Sequence, residues 1–283
     1  MLIKGVPVAA VIDENTALKA AELAKKGKSA KLAVIRMGEK PDDIYYEKSA
    51  LKRAEKNGIA TLSVVLDKDA SQSEVEQALK SCSDDESVSG ILLLRPLSKH
   101  IDEDKVIAMM DPRKDVDGIT PMSMAAVFMG RGVGYAPCTP DACIRILDHY
   151  GVELSGKNVA VIGRSLVVGK PLAMLLIKRN ATVTVCHTKT KDMKSICKNA
   201  DIVIAAAGKA KMVDESYISN GQIVIDVGIN MDDDGKMVGD VDMASVEPKA
   251  EMLTPVPGGV GSVTTSVLLS NTVDAAERMM SGE

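Results

Sequence analysis

Short runs of β-branched and aliphatic residues recur along this chain, separated by stretches with charges and alanines at helical spacing. KLAVIRMG (31–38), TLSVVLDK (61–68) and SGILLLRPL (89–97) predict buried strands, with helical segments over roughly 39–58 and 70–83. A second series follows YAPCTPDACIRILDHYGVELSGK: NVAVIG (158–163), ATVTVC (181–186), DIVIAAAG (201–208) and QIVIDVGIN (222–230). Strands alternating with helices imply βαβ units and parallel sheets, so the fold class is α/β. Pro112, Gly118, Pro121, Gly130, Gly132, Gly134, Pro137 and Pro140 cluster where the two series meet. The chain therefore predicts as two α/β domains, 1–140 plus 265–283 and 141–264. A last helix over about 264–280 returns to the first domain, and the second domain is Rossmann-like.

Composition limits what such domains can do. There is one Phe and no Trp against sixteen Met, so the cores must be aliphatic. Lys plus Arg number 35 and Asp plus Glu 39, which leaves no overall basic field for nucleic acid. No segment approaches the ~20 apolar residues of a membrane span. The early apolar run GVPVAAVI is cut by Asp13 and Glu14, unlike a signal peptide. Five cysteines, at 82, 138, 143, 186 and 197, form no CxxC pair and read as reduced thiols of a cytoplasmic protein. With three histidines and no HExxH, no metal site is expected.

NVAVIGRSLVVGKPLAMLL (158–176) reads strand, glycine turn, helix. Gly163 opens the turn, Ser165 stands where a dinucleotide fingerprint has its second glycine, and Gly169 follows late. Amides at such a helix start can meet phosphate oxygens, although a strand–glycine–helix turn also arises from packing alone. The next strand sharpens the reading. NAD sites place an acid there to bind the ribose hydroxyls, whereas TVCHTKTKD offers His187, Thr188, Lys189 and Thr190 before any acid. With Arg164 in the turn, the charge pattern favours NADP over NAD.

KDVDG (114–118), PCTP (137–140), VIGRSLVVGKP (161–171), VIDVGIN (224–230), VGDVD (238–242) and TPVPGGVGSVT (254–264) together resemble the methylenetetrahydrofolate dehydrogenase/methenyltetrahydrofolate cyclohydrolase family of one-carbon metabolism. Their order and spacing match it over nearly the whole chain. The resemblance implies two α/β domains around a cleft that holds a folate substrate, a cytoplasmic homodimer, and a product that feeds purine biosynthesis. Gly163, Arg164, Ser165, Thr188 and Ile229 match cofactor positions, with Gly169 in the same turn. Tyr46 and Asp117 match catalytic, folate-facing positions, and Pro257, Gly258 and Gly259 match a loop facing the folate. Asp117 would bond the pterin ring, while Asp115 suits a turn carboxylate.

The chain also departs from the family. The family tyrosine is followed one helical turn later by lysine, but Tyr46 is followed by Ala50. Lys48 and Lys52 lie about 200° and about 240° round the helix from Tyr46, on the far side. The family strand reads VQLPLP, whose glutamine supports the lysine; LLLRPLS (92–98) puts Leu94 there with Arg95 beside it. Asp43 and Ser262 replace a family serine and proline. Removing hydride from a methylene carbon between two nitrogens needs alignment rather than a protein base, whereas hydrolysing the methenyl product needs proton transfer. The expectation is a dehydrogenase whose cyclohydrolase activity is lost or very weak, working beside a separate cyclohydrolase. A bifunctional enzyme in which Arg95 or a displaced lysine substitutes is the alternative.

Overall fold

The structure is a computed structural model that describes residues 1–281. The chain forms two compact units. One holds Val11–Ala136 and the chain from Thr265 onward; the other holds Met1–Ala10 and Pro137–Thr264. Helix α1 (Gly5–Lys25) begins in the latter and continues into the former.

In the Val11–Ala136 unit, β1 (Lys31–Met37), β2 (Ala60–Leu66) and β3 (Gly90–Leu93) pair in parallel in the order β2-β1-β3. All of β1 beyond Lys31 is buried, as a central strand covered on both faces requires. Ala33, Ile35 and Met37 pack with Val75 and Leu79 of α3 (Gln72–Asp84) and with Val106 and Ile107 of α4 (Glu103–Ala108). Side chains alternate along a strand, so Leu32, Val34 and Arg36 face the other way. There lies α2 (Pro41–Lys56), whose Glu47, Ala50 and Ala54 form its buried stripe. Pro41 opens α2 where a missing N–H costs nothing, and Asp42 and Asp43 sit favourably at the positive end of its dipole. The strand expected over 89–97 is shorter than the sequence suggests. Leu94 N still donates to Ile35 O (2.9 Å), but Pro96 has no N–H with which to continue the ladder. Helix α5 (Pro121–Met129) completes this part of the chain.

In the other unit, α6 (Cys138–His149) precedes β4 (Asn158–Ile162), α7 (Gly169–Lys178), β5 (Thr182–Cys186), α8 (Met193–Lys198), β6 (Ile202–Ala205) and β7 (Ile223–Asp226). A small antiparallel hairpin, β8 (Asn230–Met231) with β9 (Met237–Val238), is followed by α9 (Met243–Val246) and β10 (Met252–Leu253). The main sheet is parallel, in the order β10-β7-β6-β4-β5. After β4 the chain adds β5 on one side, then crosses to place β6 on the other. The β4/β6 boundary is therefore the topological switch point, where open α/β sheets bind ligands at the carboxyl ends of their strands.

The sequence reading groups residues 1–10 with the chain that follows, but they pack against the end of this sheet. Leu2 bridges Leu253 in parallel, Ile3 N donates to Leu253 O (2.9 Å) and Gly5 N to Gly258 O (2.8 Å). The segment satisfies the open edge of β10. Helix α10 (Gly261–Ser281) carries Asn271, whose side chain donates to Val116 O (2.9 Å), and Asp274, which pairs with Lys19 (2.5 Å).

Candidate active site

At the carboxyl end of β4, Gly163 takes φ +127°, a conformation that favours glycine, and a Cβ there would run into the Ala206 carbonyl at the end of β6. The turn thus occupies the switch point itself. Gly163 N donates to Cys186 O (2.9 Å), Lys170 N to Ser165 O (3.0 Å) and Val168 N to Ser165 Oγ (3.1 Å). Ser165, replacing the fingerprint's second glycine, closes the turn with its own hydroxyl. No side chain caps α7, and a Cβ on Gly169 would meet Gly163 O. The Arg164 side chain is exposed.

The neighbouring strand supplies a second rim. His187 N donates to Thr190 Oγ1 (2.8 Å), Thr190 N to His187 O (2.8 Å) and Lys189 N to His187 Nδ1 (3.1 Å). This small turn leaves Thr188 and Lys189 exposed beside the β4–α7 turn, because Cys186 pairs with Ile162. Ile229 follows β7, two strands away, and is 64% exposed. Gly261 lies against its Cδ1, which brings Ile229 to the loop carrying Pro257, Gly258 and Gly259. The cofactor positions named from sequence thus all lie at the carboxyl edge of this one sheet.

Two carboxylates beneath this rim escaped the sequence reading. Asp226, at the end of β7, and Asp240 are both buried. Burial pushes the Asp226 carboxyl up to about 6 against three backbone N–H donors, and the neighbouring Asp240 charge adds to the rise. A folded-state value above the unfolded one means the native state holds the proton longer. The group's contribution to stability is complete below about pH 4 and is lost as pH rises to about 6, a change of about 3 kcal/mol. Urea unfolding of wild type and Asp226→Asn across pH 4–7 should show the wild type losing ground to the variant over that interval.

In the Val11–Ala136 unit, Tyr46 is half-buried on α2 while Tyr45 is 78% exposed, so only the former faces protein. Ala50 is fully buried on the stripe with Glu47, and Lys48 and Lys52 point to solvent. Leu94 is buried, and Arg95 Nη1 pairs with Glu103 Oε1 at 3.2 Å. Lys40 Nζ donates to Pro96 O (3.1 Å). In the KDVDG turn, Asp115 Oδ1 accepts from Ile119 N (2.9 Å) and Oδ2 from Thr120 N (2.7 Å) and Ser123 Oγ (2.6 Å). Asp115 is thus the turn carboxylate, and Asp117 is left half-buried beyond it. Sequence reasoning missed a buried ion pair under α2: Arg36 Nε donates to Glu47 Oε2 at 2.6 Å, Ser63 Oγ donates to Glu47 Oε1, and Arg36 Nη1 to Gly38 O. The signal was an arginine inside an aliphatic strand. Among the described residues no cluster of His, Cys, Asp and Glu suits a metal ion, and no helix is long and apolar enough to cross a membrane.

Comparison with known proteins adds to this geometry. Residues 3–117 match the tetrahydrofolate dehydrogenase/cyclohydrolase catalytic domain, and residues 137–280 match the NAD(P)-binding domain of the same family. The chain is 48% identical over 276 residues to the Bifunctional protein FolD of Clostridioides difficile strain 630, covering 98% of this chain and 96% of that one. Among solved structures it is similar to the bifunctional FolD methylenetetrahydrofolate dehydrogenase/cyclohydrolase of Campylobacter jejuni, with TM-score 0.96, 40% identity, and coverage of 98% of this chain and 99% of that one. The Trypanosoma brucei methylenetetrahydrofolate dehydrogenase-cyclohydrolase, complexed with NADP cofactor and inhibitor, gives TM-score 0.93 at 34% identity, with coverage of 99% and 98%.

Proposed function

The chain belongs to the tetrahydrofolate dehydrogenase/cyclohydrolase family, and from that premise we propose that it oxidises 5,10-methylenetetrahydrofolate to the 5,10-methenyl compound with NADP, with its cyclohydrolase activity lost or nearly lost. One observation carries the second part: the position of the family lysine is Ala50, sealed from solvent on the sheet-facing stripe of α2.

The residues fit a phosphorylated dinucleotide. The start of α7, which no side chain caps, and the tight glycine turn at Gly163 suit a pyrophosphate, and Arg164, Thr188 and Lys189 stand exposed at the ends of β4 and β5. Gly163, Arg164, Ser165, Gly169, Thr188 and Ile229 would hold NADP, which when bound supplies the hydride acceptor. Tyr46 and Asp117 are assigned to the folate as catalytic, substrate-facing groups, and Pro257, Gly258 and Gly259 as further folate-facing positions. Loss of hydride leaves an amidinium cation stabilised by two nitrogen lone pairs, so the chain's task is alignment and exclusion of water. No protein base is obligatory for that step.

The bifunctional alternative is favoured by one fact, the name borne by relatives such as the C. difficile protein. Against it, Arg95 is engaged by Glu103 and Leu94 offers no amide to orient a base. The reading also takes the protein as cytoplasmic, in keeping with its five free thiols. It takes the protein as a homodimer, in keeping with the open edge of β2, where Val65 is 52% exposed. Its product enters one-carbon transfers such as those of purine biosynthesis.

The test is the methenyl absorbance formed from methylenetetrahydrofolate with NADP and with NAD. Turnover with NADP is expected, and Arg164→Ala should raise the KM for NADP by about tenfold or more while changing that for NAD by less than about threefold. No turnover with either cofactor would reject the activity; equal losses for both would reject the role of Arg164.

A further inference from the structure

The stretches VIDVGIN (224–230) and VGDVD (238–242) take no direct part in the proposed reaction apart from Ile229, yet they contain the two most elaborately bonded carboxylates of their unit. Asp240 is wholly buried. Its Oδ2 accepts from Ala207 N (2.6 Å) and Gly208 N (2.9 Å), and its Oδ1 from Lys209 N (2.8 Å) and Asn230 Nδ2 (2.9 Å). Asp226 in turn seats Asp240: its Oδ1 accepts from Asp240 N (2.9 Å) and Gly228 N (3.0 Å), and its Oδ2 from Val241 N (3.0 Å).

We infer that Asp240, held in place by Asp226, is a positioning residue for the dinucleotide site, gathering the loop after β6 and the segment after β7 around one buried carboxylate. The inference rests on the cofactor reading above and extends it to residues that touch no ligand.

Three observations support it. First, Ala207–Lys209 follow directly from Ala206, whose carbonyl lies against Gly163 and whose N donates to Ile162 O (2.8 Å), so the clamped loop forms one wall of the switch point. Secondly, Asn230 ties to the same carboxylate the residue next to exposed Ile229, a proposed cofactor contact. Thirdly, the surrounding sequence is fitted to these approaches. A Cβ on Gly228 would run into the Asp240 carboxyl, and one on Gly239 into Asp226 Oδ2. Two acids separated by these glycines are thus a requirement of the close packing.

The chemistry also requires a carboxylate. Three consecutive backbone N–H groups converge on Asp240, and an ionised acid offers only acceptors, whereas an amide would turn an NH₂ against at least one donor. Groups that fix a site from behind act through the geometry of what they hold. The bonds of Asp240 run to the segments after β6 and β7 rather than to Arg164, Thr188 or Lys189, so its loss should affect both dinucleotides alike.

The experiment is calorimetric titration of the full chain, wild type and Asp240→Asn, with NADP and with NAD well below the variant's Tm, alongside steady-state kinetics. The expected result is a Kd raised by about tenfold or more for both dinucleotides, with the KM for the folate at saturating NADP within about twofold of wild type. If Asp240→Asn does not fold, Asn230→Ala removes a single donor and should raise both Kd values by about threefold. A folded variant of lower Tm with wild-type Kd values would make the clamp merely structural and overturn the inference, as would a loss confined to NADP. Wild-type protein that binds neither dinucleotide would instead remove the cofactor reading on which the inference stands.

Discussion

Methenyltetrahydrofolate incubated with the protein should hydrolyse at the rate seen in buffer. General acid–base assistance is typically worth ~10²–10⁴ in rate, and the groups that would provide it are replaced by a methyl and an isobutyl side chain. Ala50 is fully buried and shares its helix face with Glu47 and Ala54, while Lys48 and Lys52 are turned to solvent. Arg95 is held by Glu103, and Lys40 lies on the Pro96 carbonyl with its side chain 55% exposed. Neither arrangement resembles a desolvated amine oriented by a neighbouring amide. Restoring both partners, in the double variant Ala50→Lys/Leu94→Gln, should raise hydrolysis above buffer by part of that factor. Ala50→Lys alone should do less, because the new amine lacks its orienting group. A lysine at a sealed site also overpacks the α2–sheet contact, so the assay belongs well below the variant's Tm. Wild-type hydrolysis that is clearly enzymatic would establish the bifunctional reading in its place.

The α/β class was legible because strand and helix periodicities do not depend on distant partners. β1 reads as apolar from Leu32 to Ile35 because both its faces are covered, and the structure buries the strand from Leu32 to Met37, Arg36 included. The strand ends were less legible. LLLRPLS contains apolar residues past Leu93, but the ladder stops where Pro96 can no longer donate. Likewise QIVIDVGIN reads as one long strand, whereas β7 ends at Asp226, and Gly228 N turns back onto the buried Asp226 carboxylate instead of the ladder. Candidate site residues could be named from sequence where a local turn carries them, as at Gly163 to Gly169, which the structure holds together in one turn between β4 and α7. Asp240 and Glu47 were not, because each answers to donors far away in sequence: Ala207 to Lys209 for one, Arg36 and Ser63 for the other. An alternating pattern records burial but cannot record which buried charge has found a partner.

The buried Arg36–Glu47 pair carries a large expected stability effect. Arg36 and Glu47 have side chains only 10% and 6% exposed, and each has a further partner, Gly38 O for the guanidinium and Ser63 Oγ for the carboxylate. Arg36→Leu would leave the buried Glu47 side chain without its counter-ion, keeping its bond from the Ser63 hydroxyl. Breaking a buried pair from one side typically costs about 3–5 kcal/mol, because the surviving ion has lost both its solvent and its counter-ion. Urea unfolding of Arg36→Leu should therefore show a loss of about that size. Replacing both residues removes the uncompensated charge, so Arg36→Leu/Glu47→Leu should recover most of it and come within about 1 kcal/mol of wild type or above it. Glu47 directly follows Tyr46, and its bonds to β1 and β2 set the rotation of α2 on the sheet. The double variant should thus regain stability while its folate KM rises, since an apolar contact tolerates rotations that a directed ion pair forbids. A double variant as unstable as the single one, or restored in both stability and KM, would show that the pair does not orient the tyrosine helix.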